Sequence, residues 1–348
     1  MRVVDILVSR GFAVFLLAAS LVLLVFMARR TGLYSPLFVL LPAFVFASLF
    51  FCTLRRYRAR RRRSVKFIGS LVFHGGLMAG VAVIFFAPLV RFSAYVEALE
   101  GMSVSADDGD YVTVLERPLV GPAAPFISFK LERFVIRYKD DVYPVDYTAY
   151  SRIAFLEGGE FRDVEVPIRI NGPFRRGGYT FLLENGGYAG RFVLSDRSGA
   201  VLFDRYVKLA RETAREDSFE APEAGLVFYT RFFPDLYVKD GGVGTRSPYP
   251  RNPAFGIKAA RRDDPFRDIF KGVLRVGESA GFDGLTLRLA DIRAFAVIYV
   301  VRDPTYYWIF VSWTAIVAGL AMRYGPLLLE RRDGAGPAPS AGNGGEAT

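Results

Sequence analysis

The sequence is poor in the residue types on which most active sites depend. Its 348 residues include one cysteine, Cys52, and one histidine, His74. A single cysteine cannot form an intramolecular disulfide, which excludes thiol–disulfide exchange as the activity of this chain. Residues 93–303 contain neither residue type. This segment therefore cannot hold a histidine-based triad, a cysteine nucleophile or one of the usual zinc sites.

Two short motifs are missing as well. The sequence has no G-x-x-x-x-G-K-[ST] loop, the common phosphate-binding motif of nucleotide hydrolases. It has no C-x-x-C-H haem-attachment motif, so the chain is not itself a c-type cytochrome. Carboxylates are numerous in residues 93–303, as in any solvated sheet, and no pair of them stands out as catalytic. We therefore expect a chain that is not an enzyme by itself.

The net charge of +10 would suggest nucleic acid binding if the basic residues covered a soluble surface. They do not, because residues 93–303 carry 29 Lys and Arg against 31 Asp and Glu and are nearly neutral. The basic excess lies beside the apolar runs of the chain, where it determines membrane topology. We therefore exclude nucleic acid as a partner.

Long apolar runs are what the sequence has in abundance, and 52% of its residues are hydrophobic. A bilayer core of roughly 30 Å needs about 20 apolar residues in a helix. For the first run a secretory signal peptide is the alternative, but Arg29 and Arg30 end it without a convincing small-residue cleavage site. The pattern predicts four transmembrane helices, at about 11–28, 33–54, 67–90 and 304–325.

A basic segment, residues 55–66, holds seven arginines and one lysine between the second and third spans. Such a loop stays in the cytoplasm and contacts anionic membrane lipids. We therefore predict a multi-pass protein of the bacterial cytoplasmic (inner) membrane, with both termini in the cytoplasm and residues 93–303 on the periplasmic side. The C-terminal residues 326–348 are low in complexity and are predicted to be a disordered cytoplasmic tail.

His74 lies inside the third span, in its cytoplasmic half on the predicted topology. An ionisable side chain at membrane depth is costly unless it is paired, ligated or hydrated, which makes a functional role the first hypothesis. Two interpretations stay open here: a neutral imidazole hydrogen-bonded to a neighbouring helix, or an axial ligand to a metal cofactor such as haem. Ser70 shares the helical face of His74, whereas Gly76 and Gly80 lie roughly opposite, where small residues let another helix approach.

Residues 93–303 alternate apolar and polar positions in short runs, such as 179–184 and 190–196, broken by Gly, Pro, Asn and Asp. This period of two predicts a large β-rich, antiparallel, sandwich-like extracytoplasmic domain. Residues 210–216 and 265–272 have a weaker helical pattern and are the two helical candidates. Residues 239–262, crowded with Gly, Pro and Arg, are predicted to be irregular.

With these features assembled, the chain resembles the ResB/CcsB family of the System II cytochrome c maturation machinery over about Leu33 to Pro326. The resemblance rests on short motifs whose order is more specific than any one of them. In the helices and their flanks these are Cys52-Thr-Leu-Arg-Arg, Phe73-His74-Gly75, Glu100-Gly101 and Arg302-Asp303-Pro304. In the β-rich segment they are Phe134-x-x-x-Tyr138, Asp146-Tyr147-x-x-Tyr150-Ser151, Asn171-Gly-Pro-Phe and Gly178-Tyr179-x-Phe181.

The resemblance implies a role in haem handling. Members of this family act with a multi-spanning CcsA/ResC-type membrane protein that bears a tryptophan-rich haem-binding loop. Together they carry haem b (iron protoporphyrin IX) across the membrane and present it for covalent attachment to apocytochrome c. The resemblance gives His74 the role of haem axial ligand, and thus of metal ligand. It makes the chain an accessory subunit of a cytochrome c synthetase (haem lyase) complex.

Two other classes of function stay open. One is a membrane-anchored interaction scaffold without a cofactor, in which the histidine is structural. The other is a sensor or transport accessory whose exported sheet binds a ligand. The chain is also short for the family that it resembles, and its β-rich segment lacks cysteine. Spectra of the purified protein separate the scaffold from a haem-handling subunit.

Overall fold

The structure is a computed structural model. It describes residues 36–59, 64–105, 109, 112–120, 127–141, 143–157, 160–208, 217–239 and 242–333, with scattered positions between 9 and 22. The predicted first span at 11–28 therefore lies largely outside the described residues, as do the helical candidate at 210–216 and the end of the predicted tail. These three stay predictions.

The chain divides into two compact units. The first, here called the helical unit, comprises the residues up to Arg91, the short segment Pro118–Gly121 and the residues from Asp303 onward. The second, here called the β unit, comprises Phe92–Arg117 and Pro122–Arg302.

The described part of the helical unit contains three α-helices, α1 (Pro36–Ala59), α2 (Val65–Val90) and α3 (Tyr306–Asp333). They overlap the predicted second, third and fourth spans. Ser64 caps the start of α2, since its Oγ accepts a hydrogen bond of 3.3 Å from the backbone N–H of Phe67. Among the described helices, α2 alone is long and apolar enough to cross a membrane. Four transmembrane helices are therefore not supported by the described residues.

Two predicted boundaries in the helical unit are wrong. The basic segment 55–66 is not wholly a loop, because α1 continues to Ala59 and leaves residues 60–64 before α2. The tail is not disordered from residue 326, because α3 continues to Asp333. In both places the extension consists mainly of Arg, Leu, Ala and Glu, which are good helix formers. The arginines of residues 55–59 suggested a loop, and the Gly- and Pro-rich sequence after Asp333 suggested an earlier end of the last helix.

α2 and α3 pack against each other through glycine. At Gly319 a Cβ atom would lie 2.3 Å from the backbone nitrogen of Phe73, and at Gly69 it would lie 2.7 Å from that of Arg323. At Gly76 it would lie 2.8 Å from the backbone nitrogen of Ile316. Side chains do not tolerate such distances to a backbone, so this helix spacing requires glycine at all three positions. The predicted packing role of Gly76 is confirmed.

The described β unit consists of antiparallel strands and one short 3₁₀ helix, Pro222–Ala224. In chain order the strands are β1 (Phe92–Leu99), β2 (Ser103–Ser105), β3 (Val112–Glu116), β4 (Ile127–Lys139), β5 (Tyr143–Glu157), β6 (Glu160–Arg169), β7 (Phe174–Arg176), β8 (Tyr179–Ser195), β9 (Val201–Lys208), β10 (Asp217–Ala221), β11 (Leu226–Phe233), β12 (Leu236–Lys239), β13 (Gly242–Thr245), β14 (Ala254–Arg261), β15 (Asp264–Arg275), β16 (Ser279–Phe282) and β17 (Leu285–Arg302).

One long sheet runs through the β unit and is shared by two smaller sheets. Its order is β3-β1-β17-β8-β7, with β16 beside β17 and β9 beside β8. The smaller sheets have the orders β2-β4-β5-β6 and β10-β11-β14-β15, and β12 and β13 form a separate hairpin. Strands β8 and β17 pair along most of their length, from Thr180↔Val301 to Ser195↔Thr286.

The two largest hydrophobic cores among the described residues of the β unit lie on the two halves of the long sheet. In the first core Phe181 and Ile298 from the long sheet pack with Phe129 of the β2-β4-β5-β6 sheet. In the second core Phe192 packs with Phe255 of the β10-β11-β14-β15 sheet, their ring centroids 5.3 Å apart. The predicted β-rich antiparallel class is thus confirmed, and the sandwich-like domain is two sandwiches joined by one sheet.

Two local predictions in the β unit are wrong. Residues 265–272 lie in β15, where they pair with β14. Their apolar spacing resembles a helix, but the neighbouring strand satisfies their backbone in an extended form. Residues 239–262 are not irregular throughout, since they contain β13 and β14.

Candidate functional site

The imidazole of His74 is oriented by its own helix. Its Nδ1 lies 2.6 Å from the carbonyl oxygen of Ser70, one turn earlier in α2. A carbonyl only accepts hydrogen bonds, so Nδ1 carries the proton. In the neutral imidazole Nε2 is then the unprotonated nitrogen, and no described residue donates a hydrogen bond to it. Histidines that bind metal ions commonly donate one ring N–H to a backbone carbonyl, which leaves the other ring nitrogen free to coordinate the metal.

The imidazole of His74 is only half-buried among the described residues. The ring stands edge-on to Phe73, with centroids 5.3 Å apart and planes at 88°. At Gly75, the next residue, a Cβ atom would meet nothing within 4 Å, whereas Gly76 is in close contact with α3. The glycine face of α2 is therefore closed by α3, and the described residues leave His74 partly accessible.

A guanidinium lies beside the same turn of α2. Arg323 of α3 donates a hydrogen bond of 2.8 Å from one terminal nitrogen to Oγ of Ser70, whose side chain is buried. Ser70 thus accepts from two directions, from His74 at its carbonyl and from Arg323 at its hydroxyl. The prediction that Ser70 lies away from the packed glycines is wrong, because Ser70 also faces α3.

No other potential metal ligands cluster with His74 in the described part of the chain. The described residues contain no cluster of three or more His, Cys, Asp and Glu that is able to hold a metal ion. Zinc takes three or four protein ligands, so a single imidazole does not make a zinc site. Haem iron is held by one or two axial ligands from protein, because the porphyrin occupies the other positions. A single imidazole therefore fits haem better than a bare metal ion.

Several other motif residues make structural contacts in the β unit. Glu100 accepts a hydrogen bond of 3.0 Å from the backbone N–H of Phe134, which joins two of the motifs. The guanidinium of Arg302 lies 5.5 Å from the ring centroid of Tyr179 and donates to its hydroxyl at 3.4 Å. Asn171 sits in a turn with a φ of 59°. These contacts fix strands and turns, which gives these residues a structural role.

A second candidate site is a cavity of about 710 Å³ within the β unit. Its charged lining residues are Glu100, Arg133, Asp291 and Arg293. Burial, and secondarily Glu100, raises the pKa of the lining Tyr188 to about 12, so its phenol stays neutral. Burial alone would raise the pKa of Asp291. Hydrogen bonds donated to its carboxylate by Tyr206 and Arg293 outweigh the effect of burial and hold this pKa below its usual value. The cavity thus presents charges of both signs.

Sequence reasoning found His74 and placed Ser70 on the same helical face, but it missed Arg323 as the hydrogen-bond partner of Ser70. Arg323 lies at the end of an apolar run and is followed by Gly325 and Pro326, a pattern that indicates the end of a helix. No local signal therefore identified the contact.

Comparison with known proteins gives one informative match. A search of curated proteins found none. A solved structure described as cytochrome c heme lyase CcmF is 11% identical, with a TM-score of 0.30, over 89% of this chain and 34% of that one. The chain thus spans about a third of that protein, and a likeness of this TM-score carries no argument. The model of the ResB-like family matches residues 58–326. Since this match covers well over half of the sequence, the chain belongs to the ResB-like family.

Proposed function

We propose that this chain is a haem-carrying subunit of a cytochrome c maturation complex in the cytoplasmic membrane, with His74 as an axial ligand of haem iron. The observation that carries the proposal is the hydrogen bond from Nδ1 of His74 to the carbonyl of Ser70. It leaves Nε2 as the ring nitrogen with a free lone pair. Membership in the ResB-like family supports the same role.

The residues of this chain bind and orient the haem, and its covalent attachment requires other proteins. Ser70 fixes the tautomer and the direction of His74, and the apolar length of α2 excludes water from the ligand. A solitary imidazole leaves the second axial position to a partner. We assign that position to a CcsA/ResC-type membrane protein with a tryptophan-rich loop, and apocytochrome c receives the haem b. The chain is therefore an accessory subunit of a haem lyase complex.

A second candidate function rests on the cavity in the β unit. Its opposed charges suit a peptide or a zwitterionic ligand better than an apolar one. On this hypothesis the chain is an interaction scaffold and His74 is structural. The two functions differ in whether removal of the chain affects covalently bound haem.

Loss of the chain tests the proposed function in cells. In a strain of its own host with the gene disrupted, we expect c-type cytochromes to be lost and b-type cytochromes to be retained. The reason is that only c-type cytochromes need haem delivered to an exported apoprotein. Haem staining of denatured membrane and periplasmic proteins measures the c-type cytochromes, and reduced-minus-oxidised spectra measure both the c-type and the b-type. Wild-type levels of covalent haem in the disrupted strain would contradict the proposal.

We also propose that the β unit lies outside the cytoplasm, with both termini of the chain inside. The arginines between α1 and α2 support this orientation, since basic loops stay in the cytoplasm. A reporter enzyme that is active only outside the cytoplasm should be active when fused after Gly187 and inactive when fused after Arg60. The opposite pattern of activity would reverse the orientation and move His74 to the outer half of the membrane.

A further inference from the structure

Arg323 is a cation of α3 that faces α2. It is the eighteenth residue of its helix, and its backbone nitrogen lies beside Gly69, the fifth residue of α2. A charged side chain packed against an apolar helix is costly unless it has a polar partner or a ligand. In the described part of the chain, no carboxylate lies within ion-pair distance of Arg323.

The guanidinium turns towards α2. An arginine that serves the lipid headgroups extends along its helix to the interface. Arg323 instead donates to Oγ of Ser70, a residue that is 1% exposed, and stacks 5.3 Å from the ring centroid of its neighbour Tyr324. One of its five N–H donors is used by the serine hydroxyl. The remaining donors form a fork of the geometry that a carboxylate accepts.

The position of Arg323 relates it to His74. Ser70 bonds to both residues, and it lies one helical turn before the histidine on the side of the N-terminus of α2. A ligand held by Nε2 of His74 therefore has a cation at one edge and only apolar helix at the other. Haem has a matching polarity, since its two propionates share one edge of the ring and its two vinyl groups lie at the opposite edge.

We propose that Arg323 binds a propionate carboxylate of the porphyrin whose iron is coordinated by His74. This inference rests on the proposed function. It also orients the haem, because the propionate edge then points towards the N-terminal end of α2. The vinyl edge, at which thioether bonds form in c-type cytochromes, points towards the C-terminal end of α2.

The test compares two porphyrins on the full-length chain purified in a neutral detergent. One is iron protoporphyrin IX, and the other is its dimethyl ester, in which both propionates are uncharged. Soret titration should show the wild type binding the free acid about tenfold or more tightly than the ester, the typical effect of one charge-assisted hydrogen bond away from water. In Arg323→Gln this preference should disappear, while the affinity for the ester stays unchanged.

Three further variants separate the possible failures. Arg58→Gln removes a guanidinium from an exposed position of α1 and should keep the wild-type preference. Arg323→Lys keeps the positive charge but loses the forked guanidinium, so it should keep part of the preference for the free acid. This result would exclude misfolding as the reason why Arg323→Gln loses the preference. His74→Ala should lose the Soret response to both porphyrins, because it removes the iron ligand.

Each possible result of these titrations either supports or contradicts the proposed contact between Arg323 and a propionate. If the wild type binds both porphyrins equally, or if Arg323→Gln keeps the preference, Arg323 holds no propionate, although the haem role of His74 stands. If Arg323→Gln weakens both porphyrins equally, the arginine serves helix packing or a lipid phosphate. If the wild type binds neither porphyrin, the proposed function fails and this inference fails with it.

Discussion

Replacing His74 with alanine is expected to remove haem from the purified complex and to stop cytochrome c maturation, while the chain still inserts into the membrane. Loss of a mere orienting partner of a metal ligand typically costs 10–100-fold in affinity, so loss of the ligand itself should cost at least that much. Insertion should persist because α2 becomes more apolar without the imidazole. The Soret absorbance per mole of protein measures the retained haem.

Two further experiments test whether the haem is lost because its iron loses a ligand. Imidazole added to His74→Ala should restore part of the Soret band, because it supplies the missing nitrogen in the vacated space. His74→Met should retain more haem than His74→Ala, with a shifted reduction potential, since a thioether is also an iron ligand. A packing role for His74 predicts neither the imidazole effect nor the change in potential.

Asp291→Asn is the matched control at the other candidate site. It removes a carboxylate from the cavity of the β unit and should leave the haem spectrum unchanged, even where it lowers the stability of that unit. A shifted Soret band in Asp291→Asn would place the cofactor in the β unit. A wild-type spectrum and normal maturation in His74→Ala would make the histidine structural and would end the haem proposal for α2.

The sequence was sufficient to predict α2 and to single out His74 as a candidate, because both signals are local. A long uncharged run predicts a helix within two residues at its start, and an imidazole within it is conspicuous. The contact between Ser70 and Arg323 joins residues 253 positions apart and depends on how α2 meets α3. No periodicity within either helix contains that information, so the neighbours of His74 had to come from the structure.

Strand β8 shows the opposite error, a local signal that misleads. Gly186 and Gly187 separate two alternating runs and predict a turn between two strands, but the structure continues one strand through them. A Cβ atom at Gly186 would lie 2.3 Å from Cζ of Phe134 and 2.7 Å from the carbonyl oxygen of Phe295. The glycine is needed for this close approach within the first core, and a glycine that serves packing looks the same in sequence as one that serves a turn.

The glycine contact between α2 and α3 positions both His74 and Arg323, and its removal is the second change with a large expected effect. Gly319→Ala places a methyl group 2.3 Å from the backbone nitrogen of Phe73 and 2.7 Å from the carbonyl oxygen of Gly69. The backbone atoms of α2 cannot shift individually without disrupting the helix, so the two helices must move apart. Overpacking of this kind costs about 1–3 kcal/mol. The same separation draws Arg323 away from Ser70.

Two tryptophans report this change directly, because Trp308 and Trp313 are the only ones in the chain and both lie in α3. Thermal unfolding of the purified chain, followed by tryptophan fluorescence, should show Gly319→Ala melting several degrees below the wild type, at roughly 2–4 °C per kcal/mol. Gly325→Ala is the control in the same helix, since its methyl group meets nothing within 4 Å. It should match or exceed the wild-type melting temperature, because alanine favours the helix over glycine.

A second pair of variants repeats the comparison on α2. Gly76→Ala brings a methyl group to 2.8 Å from the backbone nitrogen of Ile316, whereas Gly75→Ala, one residue earlier, meets open space. Gly76→Ala should therefore lower the melting temperature and Gly75→Ala should not. Both Gly319→Ala and Gly76→Ala should also weaken binding of iron protoporphyrin IX more than binding of its dimethyl ester, because they displace Arg323. Equal melting temperatures for the two members of each pair would show that α2 and α3 do not pack at this distance, and the contact between Ser70 and Arg323 would then lose its basis.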